Sequence, residues 1–103
     1  MSFFSKFFRA KNETDFKALV KNGAIILDVR TPAEFSTGHI AASLNIELQM
    51  LNSSLAILKA KHKPMIVVCR SGSRSGIAIN ILKNAGIEAY NGGGWTSLKS
   101  KIS

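Results

Sequence analysis

The one cysteine of this chain closes an apolar run and opens a loop of small and basic residues: Met65-Ile66-Val67-Val68-Cys69-Arg70-Ser71-Gly72-Ser73-Arg74-Ser75. The β-branched run reads as a buried strand. From Ser75 onward, Ile77, Ala78, Ile81, Leu82 and Ala85 recur at helical spacing, so the unit is strand, tight loop, helix. Backbone N–H groups of such a loop can point inward, and the helix N-terminus adds about half a positive charge, so an anion held there is stabilised. Arg70 and Arg74 add full charges, Arg74 directly before the helix. A cysteine so placed has a depressed pKa and reacts as a thiolate nucleophile. The bland alternative, a small hydrophobe ending a strand, suits most lone cysteines. It leaves the neighbouring arginines and glycine unexplained, although arginines are by default solvated surface charges.

The rest of the chain must position this loop. Asn12 can cap a helix running to Lys21, closed by Asn22 and Gly23. Ala24 to Val29 reads as a buried strand. Arg30 then leads into Thr31-Pro32-Ala33-Glu34, a capping box with proline at the first helical position, so a short helix starts there and stops by Gly38. His39 and Ile40 fall in a connector and Ser43 to Ile46 in a short strand. Leu48 to Lys59 is helical through Leu51, Leu55 and Leu58 and ends before Pro64. After the cysteine loop and its helix, Ile87 to Tyr90 is a last strand. Asn91-Gly92-Gly93-Gly94 reads as a turn into a final helix at Trp95 to Lys99. Strands alternating with helices predict an α/β fold with a mainly parallel sheet, whose ligands bind beyond the carboxyl ends of the strands. Cys69, Asp28, Arg30 and the triple glycine all fall at such ends.

At 103 residues, 46% of them hydrophobic, the chain makes one ordinary globular domain without repeats or low-complexity tracts. No apolar run is long enough to span a bilayer, and the N-terminus lacks the continuous apolar core of a signal peptide, which predicts a cytoplasmic location. A lone cysteine cannot form an internal disulfide, which agrees with a reducing compartment, and any sulfur exchange must finish on another molecule. The formal charge of +8 favours anionic partners. Its lysines are dispersed as on a solvated face, without the aromatic-interleaved stripe of a nucleic-acid binder, so no nucleic acid is expected. Phe3, Phe4, Phe7 and Phe8 lie on one side of a short helix beside Lys6 and Arg9. An arm packed on the core is the favoured reading, and contact with a membrane surface the sharper one. His39 and His62 stand far apart with no second cysteine, so no metal site is expected, and the glycines at 92–94 lack the length and lysine of a phosphate loop. No cofactor is implied.

Four segments taken together resemble the single-domain rhodaneses, the thiosulfate sulfurtransferases, in order and spacing. They are Leu27-Asp28-Val29-Arg30-Thr31-Pro32-Ala33-Glu34-Phe35; Gly38-His39-Ile40 with Ala42-Ser43-Leu44-Asn45-Ile46; Val67 to Ser75; and Asn91-Gly92-Gly93-Gly94-Trp95. The resemblance covers residues 12–103 as a rhodanese-like domain and leaves 1–11 as a Phe-rich basic arm. It implies a three-layer fold, helices on both sides of the sheet. It also implies that Cys69 takes a sulfane sulfur from a small anionic donor such as thiosulfate, forming a persulfide, and passes it to a thiol or dithiol acceptor, a thioredoxin-like protein among the candidates. The loop Arg70, Ser71, Gly72, Ser73, Arg74 and Ser75 would hold the persulfide, with Arg70 and Arg74 attracting the donor. Asp28, Arg30 and Glu34 would form a supporting polar network. His39 would be a hydrogen-bonded structural residue, since transfer from an ionised thiolate needs no base. His62, in a lysine-rich connector, is given no role.

Two rivals remain. Phosphatases of the related fold place five residues between loop cysteine and arginine, making a ring that admits a tetrahedral phosphate. Here four residues separate Cys69 from Arg74, and Ser75 follows. The other rival is a relay or docking module that takes sulfur from a protein partner and turns thiosulfate over poorly.

Overall fold

The computed structural model describes residues 14–103. The Phe-rich arm and Asn12 lie outside them. Helix α1 spans Phe16–Lys21 and is capped by Asp15, whose carboxylate accepts from the Ala18 N–H at 3.0 Å. Strand β1 (Ile25–Asp28) follows, then α2 (Pro32–Ser36), β2 (Leu44–Asn45), a 3₁₀ turn at Leu48–Met50, α3 (Leu51–Lys59), β3 (Met65–Cys69), α4 (Ser73–Asn84), β4 (Ala89–Gly94) and α5 (Trp95–Ile102). The four strands form one sheet in the order β2-β1-β3-β4, and every pairing is parallel.

Because strand side chains alternate, β1 and β3 supply both faces of the sheet and read as continuous apolar runs. Leu27, Val29, Met65, Val67 and Cys69 point one way, into a core closed by Leu51 and Leu58 of α3 and Ala78, Ile79 and Leu82 of α4. Ile26, Ile66 and Val68 point the other way, toward Ile40, Leu98 of α5 and Phe16, Leu19 and Val20 of α1. This is the three-layer arrangement expected, with Cys69 facing the α3/α4 layer.

The helix expected to start at Asn12 starts instead at Phe16, because the Asp15 carboxylate takes the cap; two further boundaries depart from the sequence reading near the cysteine. Gly72 adopts φ 111°, a left-handed conformation that lets α4 begin at Ser73, so Ser73 and Arg74 belong to its first turn rather than preceding it. Residues 91–94 are not a turn. They extend β4 alongside β3, pairing Val67 with Asn91 and Cys69 with Gly94. The pairing slips between Val67 and Val68, leaving Gly92 as the extra residue of a bulge. A β-carbon on Gly94 would lie 2.8 Å from the Arg70 carbonyl oxygen, so glycine there is what allows β4 to run against the loop.

Candidate active site

Cys69 ends the central strand β3, and its side chain is 1% exposed. The turn that follows folds the Gly72 N–H back onto Sγ at 2.9 Å. The Ser75 hydroxyl, in the first turn of α4 and fully buried, lies 3.5 Å from the sulfur. Burial pushes the Cys69 thiol up, but the Ser75 hydroxyl and the N–H groups of Ser75, Gly72 and Ser71 outweigh it, and the pKa falls below the ordinary thiol value. The loop N–H groups act on the sulfur as the strand-loop-helix reading expects, whereas Arg70 and Arg74, expected to add to the effect, are not among its leading causes, because a donor aimed at the sulfur acts at contact distance while a solvated or carboxylate-paired guanidinium is screened.

Ser75 can serve the sulfur in both protonation states. Its oxygen is 2.7 Å from Asn91 Oδ1 and 3.0 Å from the Gly72 carbonyl. A hydroxyl has one proton, so it can donate to Asn91 while accepting from a thiol, or turn that proton toward a thiolate. Asn91 is in turn held by the Gly93 N–H, donated to its Oδ1 at 2.8 Å across the bulge. Asn91 was missed as a site residue because its segment read as a turn. An asparagine ahead of three glycines was the available signal.

Arg74 does not point free into the loop. Its Nη1 and Nη2 donate to Glu34 Oε1 and Oε2 at 2.7 and 3.0 Å, a bidentate pair joining α4 to α2. Glu34 also closes the capping box, accepting from the Thr31 N–H at 3.0 Å, while the Thr31 hydroxyl accepts from the Glu34 N–H. With the Arg74 guanidinium beside it, the Glu34 carboxyl is held down at about 2 instead of the usual 4.5. A depressed carboxyl stabilises the fold above its unfolded pKa and loses that contribution as pH falls through the folded one. Glu34→Gln should therefore be less stable than wild type at neutral pH, and the gap should close between about pH 4.5 and 2. Urea melts of both proteins at pH 7 and at the acid end would show this; a gap unchanged with pH would deny the ion pair its role. Arg70 is exposed and forms no ion pair among the described residues.

Behind the loop, Asp28 and Arg30 form a second pair, buried at 0% and 4% side-chain exposure. Arg30 Nε and Nη2 donate to the Asp28 carboxylate at 2.9 and 2.8 Å. Nη2 also reaches the Gly38 carbonyl at 2.8 Å and Nη1 the Glu34 carbonyl at 3.2 Å. The guanidinium lies 4.8 Å from the centre of the Trp95 ring. Asn45 of β2 donates from Nδ2 to the Asp28 and Arg30 carbonyls at 3.0 and 2.9 Å. His39 is exposed; its Nδ1 meets the Phe35 carbonyl at 2.8 Å, and its ring stacks on Phe35 with centroids 3.7 Å apart. These contacts fix the shape of the α2 connector and put His39 in no contact with the sulfur.

Residues 12–101 match the rhodanese-like domain family. The chain belongs to the rhodanese-like family. The thiosulfate sulfurtransferase GlpE of Stutzerimonas stutzeri is 36% identical over 87 residues, covering 76% of this chain and 79% of that protein. An uncharacterized Synechocystis protein is 37% identical over 66% of this chain, which spans only 37% of that relative. The crystal structure of a rhodanese-related protein from Thermoplasma volcanium superposes with a TM-score of 0.69 at 33% identity, covering 78% of this chain and 80% of that one. In this rhodanese-like domain, then, the structure brings Cys69, Gly72, Ser75 and Asn91 together. It couples Glu34 to Arg74 and Asp28 to Arg30, and leaves Arg70 and His39 at the surface.

Proposed function

We propose that the domain is a sulfurtransferase that carries sulfane sulfur on Cys69 and takes it from thiosulfate or a similarly small anionic donor. The observation that carries this reading is the tight ring around Sγ: a Gly72 N–H at 2.9 Å and the Ser75 hydroxyl at 3.5 Å. With four residues between Cys69 and Arg74 and the guanidinium turned away onto Glu34, the ring suits one added sulfur and not a tetrahedral phosphate.

The steps balance without a cofactor or a base. The Cys69 thiolate attacks the outer sulfur of thiosulfate, the S–S bond of the donor breaks, and sulfite leaves with the electron pair. The new sulfur stands about 2 Å beyond Sγ, and its negative charge is stabilised by loop N–H groups in the way they stabilise the thiolate. A thiol or dithiol acceptor, as its thiolate, then attacks the outer sulfur and Cys69 leaves as thiolate. Arg70, exposed and without a carboxylate partner among the described residues, is the residue placed to draw an anionic donor in; Arg74 acts through Glu34 to hold α2 against the loop.

Incubation with thiosulfate should add the mass of one sulfur atom to the intact protein, and cyanide should remove it. p-Nitrophenyl phosphate should not be hydrolysed. Phosphate ester turnover without sulfur loading would overturn the proposal. Loading from a persulfidated protein but not from thiosulfate would transfer the function to a relay module fed by a protein partner.

A further inference from the structure

We propose that Asn91 is a positioning residue that holds the Ser75 hydroxyl proton away from the Cys69 sulfur, which keeps the free sulfur a stronger nucleophile and a poorer leaving group than the loop alone would make it. Side chains alternate along a strand, so Asn91 follows Ala89 onto the sheet face covered by α4, the face on which Cys69 also lies. There its Oδ1 lies 2.7 Å from Ser75 Oγ and accepts from the Gly93 N–H at 2.8 Å. Its Nδ2 is 3.4 Å from the Gly72 carbonyl. These contacts fix the amide, because turned over it would set Nδ2 against the Gly93 N–H and Oδ1 against the Gly72 carbonyl. Asn91 therefore presents Ser75 with an acceptor and no donor.

Ser75 is wholly buried, and its hydroxyl has three acceptors in reach: Asn91 Oδ1, the Gly72 carbonyl at 3.0 Å and the sulfur at 3.5 Å. The Gly72 carbonyl already accepts from the Gly76 N–H at 3.1 Å. With the sulfur a thiol, the proton belongs on Asn91, the shortest of the three. Turning it to a thiolate breaks that bond and leaves two oxygens facing each other at 2.7 Å with no proton between them. Asn91 opposes ionisation through the hydroxyl while the loop N–H groups favour it. A thiolate with fewer donors is more basic and more nucleophilic, and it leaves more slowly. On the reading of Cys69 as a sulfur carrier, the step this governs is release: the acceptor attacks the outer sulfur, the bond between the two sulfurs breaks, and Sγ leaves with the electron pair. In the loaded form the charge sits on the outer sulfur and Sγ is neutral, so the Ser75 proton returns to Asn91 and the cost disappears.

Asn91 is exposed and belongs to neither apolar cluster, so it can be exchanged without disturbing the core. The charged and titratable groups at the sulfur end of the fold come, among the described residues, from other elements. They are Arg70 of the loop, Arg74 of α4, Asp28 and Arg30 at the end of β1, Glu34 and His39 of α2 and its connector, and Glu47 ahead of the 3₁₀ turn. Residues 91–94 of β4 add none. All of these groups stay the same when position 91 is changed, and only the acceptor offered to Ser75 differs.

The test is the rate of Cys69 alkylation by iodoacetamide as a function of pH, measured on the full chain, which reads the thiolate and needs no sulfur transfer. Asn91→Leu nearly keeps the shape and removes the acceptor. Its profile should move to lower pH, with about two- to tenfold more thiolate on the acid side of the wild-type midpoint, the worth of one neutral hydrogen bond. Asn91→Asp keeps the acceptor and adds a charge, so its profile should move to higher pH. In a Ser75→Ala background, Asn91→Leu should leave the profile where it is. Protein loaded from thiosulfate should release sulfur to cyanide up to about threefold faster in Asn91→Leu than in wild type, and load more slowly once fully ionised. A profile that stays put or moves upward in Asn91→Leu, a shift of the same size without the Ser75 hydroxyl, or an unchanged release rate would each overturn the proposal. Wild type that fails to load, with the alkylation profiles as expected, would sink the sulfurtransferase reading and leave the hold of Asn91 on the Ser75 proton standing.

Discussion

Cys69→Ser is expected to abolish sulfur loading, with a loss of thiosulfate:cyanide transfer of at least about a thousandfold, while the domain stays folded. The reasoning is chemical before it is structural. The ring lowers the pKa of the thiol below its ordinary value and so favours the thiolate; a serine hydroxyl starts so much higher that the same donors leave it neutral. A neutral hydroxyl does not attack a sulfane sulfur, and no other cysteine is present to substitute. Stability should change little, by about 1 kcal/mol or less, because the serine oxygen occupies nearly the same volume and finds the Gly72 N–H and the Ser75 hydroxyl already in place. Intact mass after thiosulfate treatment, paired with a thermal melt, checks both halves. Residual transfer by a folded Cys69→Ser protein would refute Cys69 as the carrier.

The parts of this site that were legible in the sequence are those set by contiguous residues. Thr31-Pro32-Ala33-Glu34 folds into the capping box it spells, and the apolar runs at 25–28 and 65–69 are the two central strands. Cys69 falls at the strand end because the run before it ends there. What escaped the sequence depends on distance. Glu34 and Arg74 each appear as isolated charges, and their pairing across forty positions follows only once α2 is laid beside α4. The reading of Arg74 as a donor contact therefore took no account of its pairing with Glu34. Asn91 reaches Ser75 only because the bulge at Gly92 realigns β4, and two of the glycines that read as a turn, Gly92 and Gly94, are strand residues packed too closely against β3 and the loop for a side chain.

Asp28→Asn should be the most destabilising single change among the polar residues of the site. The Asp28 carboxylate is wholly buried and accepts from Arg30 Nε, Nη2 and backbone N–H. Asparagine nearly preserves the shape but removes the charge and turns an amide donor toward donors. Arg30 stays buried at 3% exposure with no anion beside it, held by the one remaining amide oxygen, the Gly38 and Glu34 carbonyls and the Trp95 face. Breaking such a pair from one side costs about 3–5 kcal/mol, a large share of the 5–15 kcal/mol that holds a typical domain together, and a melting temperature lower by about 15 °C or more is expected for a chain of this size. The damage should also reach the sulfur. Arg30 ties β1 to the Glu34 carbonyl within α2 and to the Gly38 carbonyl just past it, and the Glu34 side chain ties α2 to Arg74 beside the loop. Asp28→Asn should therefore slow sulfur loading even below its own melting temperature. Pairing Asp28→Asn with Arg30→Met should restore part of the lost stability, because no unpaired charge is left inside, yet it should not restore loading, because the tie to α2 is gone. A thermal melt and a loading rate for each protein decide the matter. A single variant that melts within a degree or two of wild type would show that Asp28 and Arg30 do not hold this end of the sheet together.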